Sequence, residues 1–338
     1  MPRVIMAAAE GEHALFQNVL NVAGSGTGKH RGSVFVRPPT AVFYRWEEDE
    51  TSDDMWVHVL VAKENATGNF STALGTMIEI RSSEGYLAGY RTVTRSSSMY
   101  VQTQTATTPT SGTSLGGISY IYNSLVFVEF DFRFRISTVT DPDDTMTIDY
   151  YVQEQLRETY VRTHAGGWSP PRELYLRGTE ADPGYGDAVY QDIIVTDALP
   201  TVGMELVAMN PISVGNYSDF TNDYTNLDEP GFDFSDLAYT TTTATRESWV
   251  YSSPAYVATD KVIYAFITNV VVQTDLANIV SDFQPFLRIS ATDYAGTNVG
   301  AINIAPNSYI NIWTQNPDTL APWQPSDFTS MESGVLAV

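Results

Sequence analysis

Two carboxylates spaced two apart, Glu129 and Asp131, and five aspartates in one acidic stretch, Asp219, Asp223, Asp228, Asp233 and Asp236, are the residues of this chain best suited by type and spacing to do chemistry. On an extended strand, residues i and i+2 share a face, so Glu129 and Asp131 form the kind of carboxylate pair that hydrolyses a glycosidic bond. Arg133 and Arg135 continue the same face and favour charge pairing instead. The five aspartates could offer hard oxygen ligands to calcium. Their spacing is not that of the EF-hand loop, however, and an acidic loop explains them more simply. Of the four histidines, His58 alternates with Trp56 and Leu60 and is expected to pack within a sheet. The glycine cluster 23–30 looks like a phosphate-binding loop, but Ala23 stands where the motif needs its first glycine and His30 where it needs Ser or Thr. An exposed loop is expected there. There is no Gly-x-Ser-x-Gly, His-Glu-x-x-His or dinucleotide fingerprint, and no cysteine. No catalytic residue and no cofactor beyond that calcium are therefore assigned, and the chain is expected not to be an enzyme.

The element that must position Glu129 and Asp131 is the run 125–136, Leu-Val-Phe-Val-Glu-Phe-Asp-Phe-Arg-Phe-Arg-Ile. Its period is two, which makes it a strand. Val126, Val128, Phe130, Phe132, Phe134 and Ile136 form one apolar face, and Glu129, Asp131, Arg133 and Arg135 form the other. At roughly 3.3 Å per residue the run spans about 40 Å, long enough to cross a whole sheet. Further strand-like segments at 33–36, 41–46, 55–62, 76–81, 86–93, 99–105 and 118–122 are punctuated by Gly and Pro. The chain is thus predicted to be all-β, with sandwich or barrel architecture. Residues 146–161 are ambiguous, because Ile148, Tyr150 and Val152 alternate as in a strand while 154–158 suits a helix. Strands are expected again at 190–195, 204–209, 249–251, 262–272, 286–290, 299–304 and 309–313. Between them, 210–245 forms a long acidic and aromatic insertion.

The 338 residues carry a net charge of −22, unevenly placed. Residues 1–138 hold 11 Lys/Arg against 13 Asp/Glu (−2), and residues 139–338 hold 7 against 27 (−20). The segment Thr138-Val-Thr-Asp-Pro-Asp-Asp144 falls at that change and is polar and proline-bearing, so a hinge is expected at 139–145 between domains 1–138 and 146–338. So acidic a chain is poorly suited to nucleic acid. The longest apolar runs are too short to cross a membrane as a helix. The sequons at Asn65, Asn69 and Asn216 matter only on a secretory route.

The stretch 116–136, Gly-Gly-Ile-Ser-Tyr-Ile-Tyr-Asn-Ser followed by the long alternating strand, resembles the final strand of the jelly-roll shell domain in coat proteins of small icosahedral viruses, tombusvirus-like and nodavirus-like. The resemblance implies a jelly-roll shell domain, a hinge, and a protruding acidic β-rich domain for host attachment, with two tandem jelly rolls as the variant. It implies a capsid subunit located in the virion. Its partners would be copies of itself in a large shell, a second coat protein, and a host-surface receptor or glycan. The Arg/Lys-rich arm with which these families often bind RNA is absent, so direct nucleic-acid binding is not expected. The alternative is a β-sandwich module, an adhesin or spike, whose Tyr217, Phe220, Tyr224, Phe232, Phe234 and Tyr239 stack on sugar rings. The third is a glycosidase acting through Glu129 and Asp131.

Overall fold

The computed structural model of the chain describes residues 3–8, 20–22, 35–37, 41–46, 52–63, 75–83, 85–93, 96–101, 113–114, 128–137, 143–165, 168–177, 188–207, 209, 211–222, 224–226, 237–251, 261–274, 280, 282–302, 304 and 307–338. Among these residues the fold is all-β, with antiparallel sheets, two short 3-10 helices and no α-helix. The chain forms two compact units that part between Leu206 and Val207.

The first unit contains β1 (Arg3–Ala8), β2 (Leu20–Val22), β3 (Phe35–Arg37), β4 (Ala41–Arg45), β5 (Asp54–Lys63), β6 (Gly75–Ser82), β7 (Gly85–Val93), β8 (Ser96–Val101), β9 (Thr113–Ser114), β10 (Val128–Ser137), β11 (Asp143–Val152), β12 (Gln155–Ala165), β13 (Glu173–Arg177) and β14 (Ala188–Asp197). One sheet runs β12-β11-β10-β5-β14-β3-β2, with β1 also on β14; the other runs β4-β13-β6-β7-β8-β9. Each sheet has one face of fully buried apolar side chains, as a β-sandwich requires. In the first sheet, Val57, Val59, Phe130, Phe132, Phe134, Ile148 and Tyr150 are inaccessible; in the second, Ile78, Ile80, Leu87, Leu174 and Leu176 are. Phe132 sits opposite Val57 on one side and Tyr150 on the other, with its ring centroid 5.4 Å from that of Tyr150. The alternation seen in the sequence is therefore the alternation of the sheet.

The expected hinge is a correction. β10 and β11 pair antiparallel from Phe130↔Val152 to Ser137↔Thr145, so 139–145 joins two neighbouring strands of one sheet, and Thr138–Pro142 itself lies outside the described residues. The first domain does not end at 138, nor does the second begin at 146. At the boundary observed, residues 1–206 hold 15 Lys/Arg against 26 Asp/Glu and residues 207–338 hold 3 against 14, so each part carries −11. The charge step at 138 marked a loop rather than a division between cores.

Residues 155–158, expected to suit a helix, are strand. Gln153 and Glu154, at φ 50° and 63°, turn β11 directly into β12. Two consecutive left-handed residues make the tight hairpin turn that usually needs Asn-Gly, and a Gln-Glu pair carries no such signal. Neither 204–209 nor 299–304, both expected as strands, forms a strand among its described residues. Segment 118–122 lies outside the described residues.

The second unit contains β15 (Pro211–Ser218), β16 (Arg246–Tyr251), β17 (Phe266–Val272), β18 (Phe283–Ile289), β19 (Thr292–Ala295), β20 (Asn307–Trp313) and β21 (Glu332–Ala337). Five of these form the sheet β15-β16-β21-β18-β19, and β17 pairs with β20. Its core gathers Phe266, Leu287, Ile289, Trp323, Phe328 and Met331 in one cluster and Trp249, Phe283 and Val335 in another. Gly334, central in this sheet, has to be glycine. A Cβ there would stand 2.2 Å from the Glu247 carbonyl oxygen and 2.6 Å from the Phe286 ring.

Candidate functional site: the polar face of the first sheet

Because β5, β10 and β11 pair in register, the residues opposite their buried apolar side chains share one polar face. Trp56, Arg133 and Asp149 form one cross-strand row, and His58, Asp131 and Tyr151 the next. β14 adds to this face through a bulge. Between Gln191 and Ile194 its register against β5 shifts, and Asp192 takes φ 48°, which re-aims its side chain.

One half of the face is covered. After β14 the chain turns sharply at Ala198 (φ 52°), whose amide donates to the Asp54 carbonyl at 2.6 Å. Residues 199–206 then form a strap over the sheet. Thr201 Oγ1 donates to Asp131 Oδ1 at 2.7 Å, the Gly203 amide to Glu129 Oε1 at 3.2 Å, and the Leu206 amide to Asp192 Oδ2 at 3.3 Å. Gly203 has φ +76°, a conformation that favours glycine. Beneath the strap, His58 Nδ1 lies 2.8 Å from Asp131 Oδ1 and 3.9 Å from Glu129 Oε1. His58 and Asp131 are 0% exposed, Asp192 1% and Glu129 3%. Burial by itself would lower the pKa of His58. The charge and hydrogen bond of Asp131, with Glu129 and Asp192 behind it, overcome that and hold the imidazole above its ordinary value.

The other half is open. Arg133 donates two hydrogen bonds to Asp54, at 2.9 and 2.7 Å, and lies 5.1 Å from the Trp56 ring. Arg135 donates to Asp149 Oδ2 at 2.6 Å, and Thr159 Oγ1 donates to the other Asp149 oxygen at 2.8 Å. Tyr151 stands 5.5 Å from Trp56, and burial followed by the charge of Asp149 pushes its pKa up. The side chains of Arg133 and Arg135 are 30% and 42% exposed. A fork-shaped guanidinium beside a carboxylate and a partly exposed ring is a surface that can engage hydroxyl groups and a sugar ring together.

The sequence found Glu129 and Asp131 but not their partners. His58 is buried as expected, though it is ion-paired with Asp131 and not merely packed. Thr201, Gly203 and Asp192 were missed, since nothing local marks a strap. As a glycosidase pair, Glu129 and Asp131 are covered and already bonded to His58 and the strap.

The remaining candidates fall in the second unit. Asp219 accepts a hydrogen bond from the Arg246 amide at 2.9 Å, and Asp223, Asp228, Asp233 and Asp236 lie outside the described residues. Of the six aromatic side chains expected to stack on sugars, Phe220 and Tyr224 pack against the Trp249 cluster. Tyr217 packs edge-on to Phe286, and its hydroxyl donates to Asp293 at 2.7 Å between Arg246 and Arg288. Tyr239 is exposed, and Phe232 and Phe234 lie outside the described residues.

No family model matches the chain, and no curated protein does. Among solved structures, it is similar to the binding domain of botulinum neurotoxin serotype G (6% identity, TM-score 0.36) over 57% of this chain and 47% of that one. It is similar to a PL-14 alginate lyase from Aplysia kurodai (12% identity, TM-score 0.31) over 57% of this chain and 98% of the lyase. A sialidase mutant of Trypanosoma rangeli that displays trans-sialidase activity gives 11% identity and a TM-score of 0.33, over 57% of this chain and 30% of that one. The chain thus spans about half the length of the neurotoxin chain it matches. These β-rich binding domains and carbohydrate-active enzymes identify no viral coat family.

Proposed function

We propose that the chain is a non-catalytic β-sandwich binding module that takes a neutral saccharide on the open half of the polar sheet face. The observation that supports this reading is the arrangement of Arg133, Arg135, Asp54, Asp149 and Tyr151 on adjoining strands, outside the apolar core. Each guanidinium is matched by a carboxylate, so the face is electrically neutral and suits hydroxyl groups. A net charge of −22 repels polyanions, which favours an uncharged ligand over an acidic one. Calorimetric titration with neutral oligosaccharides tests the reading. Arg133→Ala should weaken binding about tenfold with little change in the melting curve, because its partner Asp54 is 31% exposed and stays solvated. Equal affinity in wild type and variant would sink it, as would a wild type that retains no glycan.

A second reading, a self-assembling virion coat subunit, is favoured by the exposed apolar side chains on two sheet-edge strands. These are Leu156 and Val161 on β12, and Ile212 and Val214 on β15. Edge strands with apolar side chains in solvent invite another copy of the chain. Light scattering and negative-stain imaging of purified protein separate the two. Large closed particles favour the coat subunit, and a monomer that retains glycan favours the module.

A further inference from the structure

The covered half of the polar face holds a group of side chains that the saccharide reading does not use. His58 on β5, with Glu129 and Asp131 on β10, present one nitrogen and two carboxylate oxygens that all lie within 4.8 Å of one another. All three side chains are buried, and the register between two paired strands fixes them. A tetrahedral ion with ligands at about 2.1 Å needs donor atoms roughly 3.4 Å apart. The separations from His58 Nδ1, 2.8 Å to Asp131 and 3.9 Å to Glu129, straddle that value. A second observation points the same way. Asp131 Oδ2 is fully buried and has no hydrogen-bond partner among the described residues, although its other oxygen accepts from both His58 and Thr201. A buried carboxylate oxygen without a donor is costly, and a cation is the group that would satisfy it.

We propose that His58, Glu129 and Asp131 bind one divalent transition-metal cation, zinc or manganese, beneath the strap. An imidazole nitrogen combined with carboxylate oxygens suits these ions, whereas calcium takes a shell of oxygens. On binding, the proton between Nδ1 and Asp131 leaves to solvent, and the nitrogen lone pair goes to the metal. Thr201 and Gly203, bonded to Asp131 and Glu129, hold the two carboxylates in orientation from the strap side. The ion would therefore pin the strap to the sheet. Nothing in this depends on the saccharide face, which lies on the open half.

The test uses the full chain, stripped with EDTA, desalted, and titrated in turn with Zn²⁺, Mn²⁺ and Ca²⁺ at physiological salt. About one zinc or manganese ion per chain should survive gel filtration, and the melting temperature should rise with the concentration of that metal but not with calcium. Surface acids on so negative a chain also collect cations, so Glu129→Gln and His58→Gln supply the control. Each should weaken binding about tenfold or more. Unchanged affinity and stoichiometry in both variants would put the ion elsewhere and overturn the proposal. Should the variants fail to fold, the Co²⁺ spectrum of the wild type decides. Visible bands of a mixed nitrogen and oxygen site are expected, and the spectrum of aqueous Co²⁺ overturns the site.

Discussion

The two halves of the polar sheet face share β5 and β10 and the same alternation, yet they hold their charges in different ways. On the open half, Arg133 and Asp54 pair with both partners about a third exposed, and the part-exposed Arg135 reaches the buried Asp149. On the covered half, His58, Glu129, Asp131 and Asp192 lie under residues 199–206 and are nearly or fully inaccessible. Exposed ion pairs contribute little because water already solvates both partners. Buried ones are far more sensitive to losing a partner, since the remaining charge has nowhere to be solvated. A few residues of covering chain are enough to convert one kind into the other.

The largest effect should come from removing the floor that both halves share. Phe132→Ala should cost about 3–5 kcal/mol through lost burial and the cavity left between Val57 and Tyr150, read from chemical denaturation. A variant with an unchanged midpoint would show that this face is not the core. Next, in metal-free protein, Asp131→Asn should cost about 1–3 kcal/mol, because the buried imidazole loses its counter-charge. Amide exchange at Gly203 and Leu206 should quicken with it, and a loss no greater than that of Arg133→Ala would erase the contrast between the halves. Thr201→Val removes one hydrogen bond from the strap and should cost about 1 kcal/mol, with the same amides as reporters.

On the open half, a double-mutant cycle on Arg133 and Asp54 should give a coupling below about 1 kcal/mol that shrinks with added salt. The smallest effect concerns Tyr151. Its folded pKa lies above the ordinary tyrosine value of about 10, through burial and then Asp149. Its share of stability is therefore fully present below about pH 10 and is lost as the pH rises through the folded value. Tyr151→Phe should remove that part of the alkaline loss; identical alkaline denaturation profiles would show that the ring titrates as if unfolded.

Legibility tracked range. The run 128–136 could be assigned to a strand, and its faces sorted, from period alone, and the structure makes Phe130, Phe132 and Phe134 inaccessible as that period demands. The charge pairing expected of Arg133 and Arg135 is also present, with Asp54 and Asp149 on the two neighbouring strands as the acids. Where the sequence misled, it was through features that carry two meanings. A proline-bearing acidic segment at 138–144 serves a hairpin as well as a hinge, and the aromatic residues Phe220 and Tyr224 serve a core as well as a sugar site. Turns at Gln153-Glu154 and Ser290-Ala291 use left-handed residues that neither Asn nor Gly announces.

The sequence by itself determined the all-β class, the two faces of β10, and the presence of two carboxylates and two arginines on one of those faces, because side-chain alternation is a property of any extended chain. Only the tertiary structure decided that Glu129 and Asp131 are covered while Arg133 and Arg135 stay open. That division depends on a bulge at Asp192, a left-handed turn at Ala198, and hydrogen bonds from Thr201 and Gly203 to residues 70 and 74 positions earlier. Contacts at such separation leave no local pattern, since what fixes them is the closure of the fold rather than the preference of any short segment.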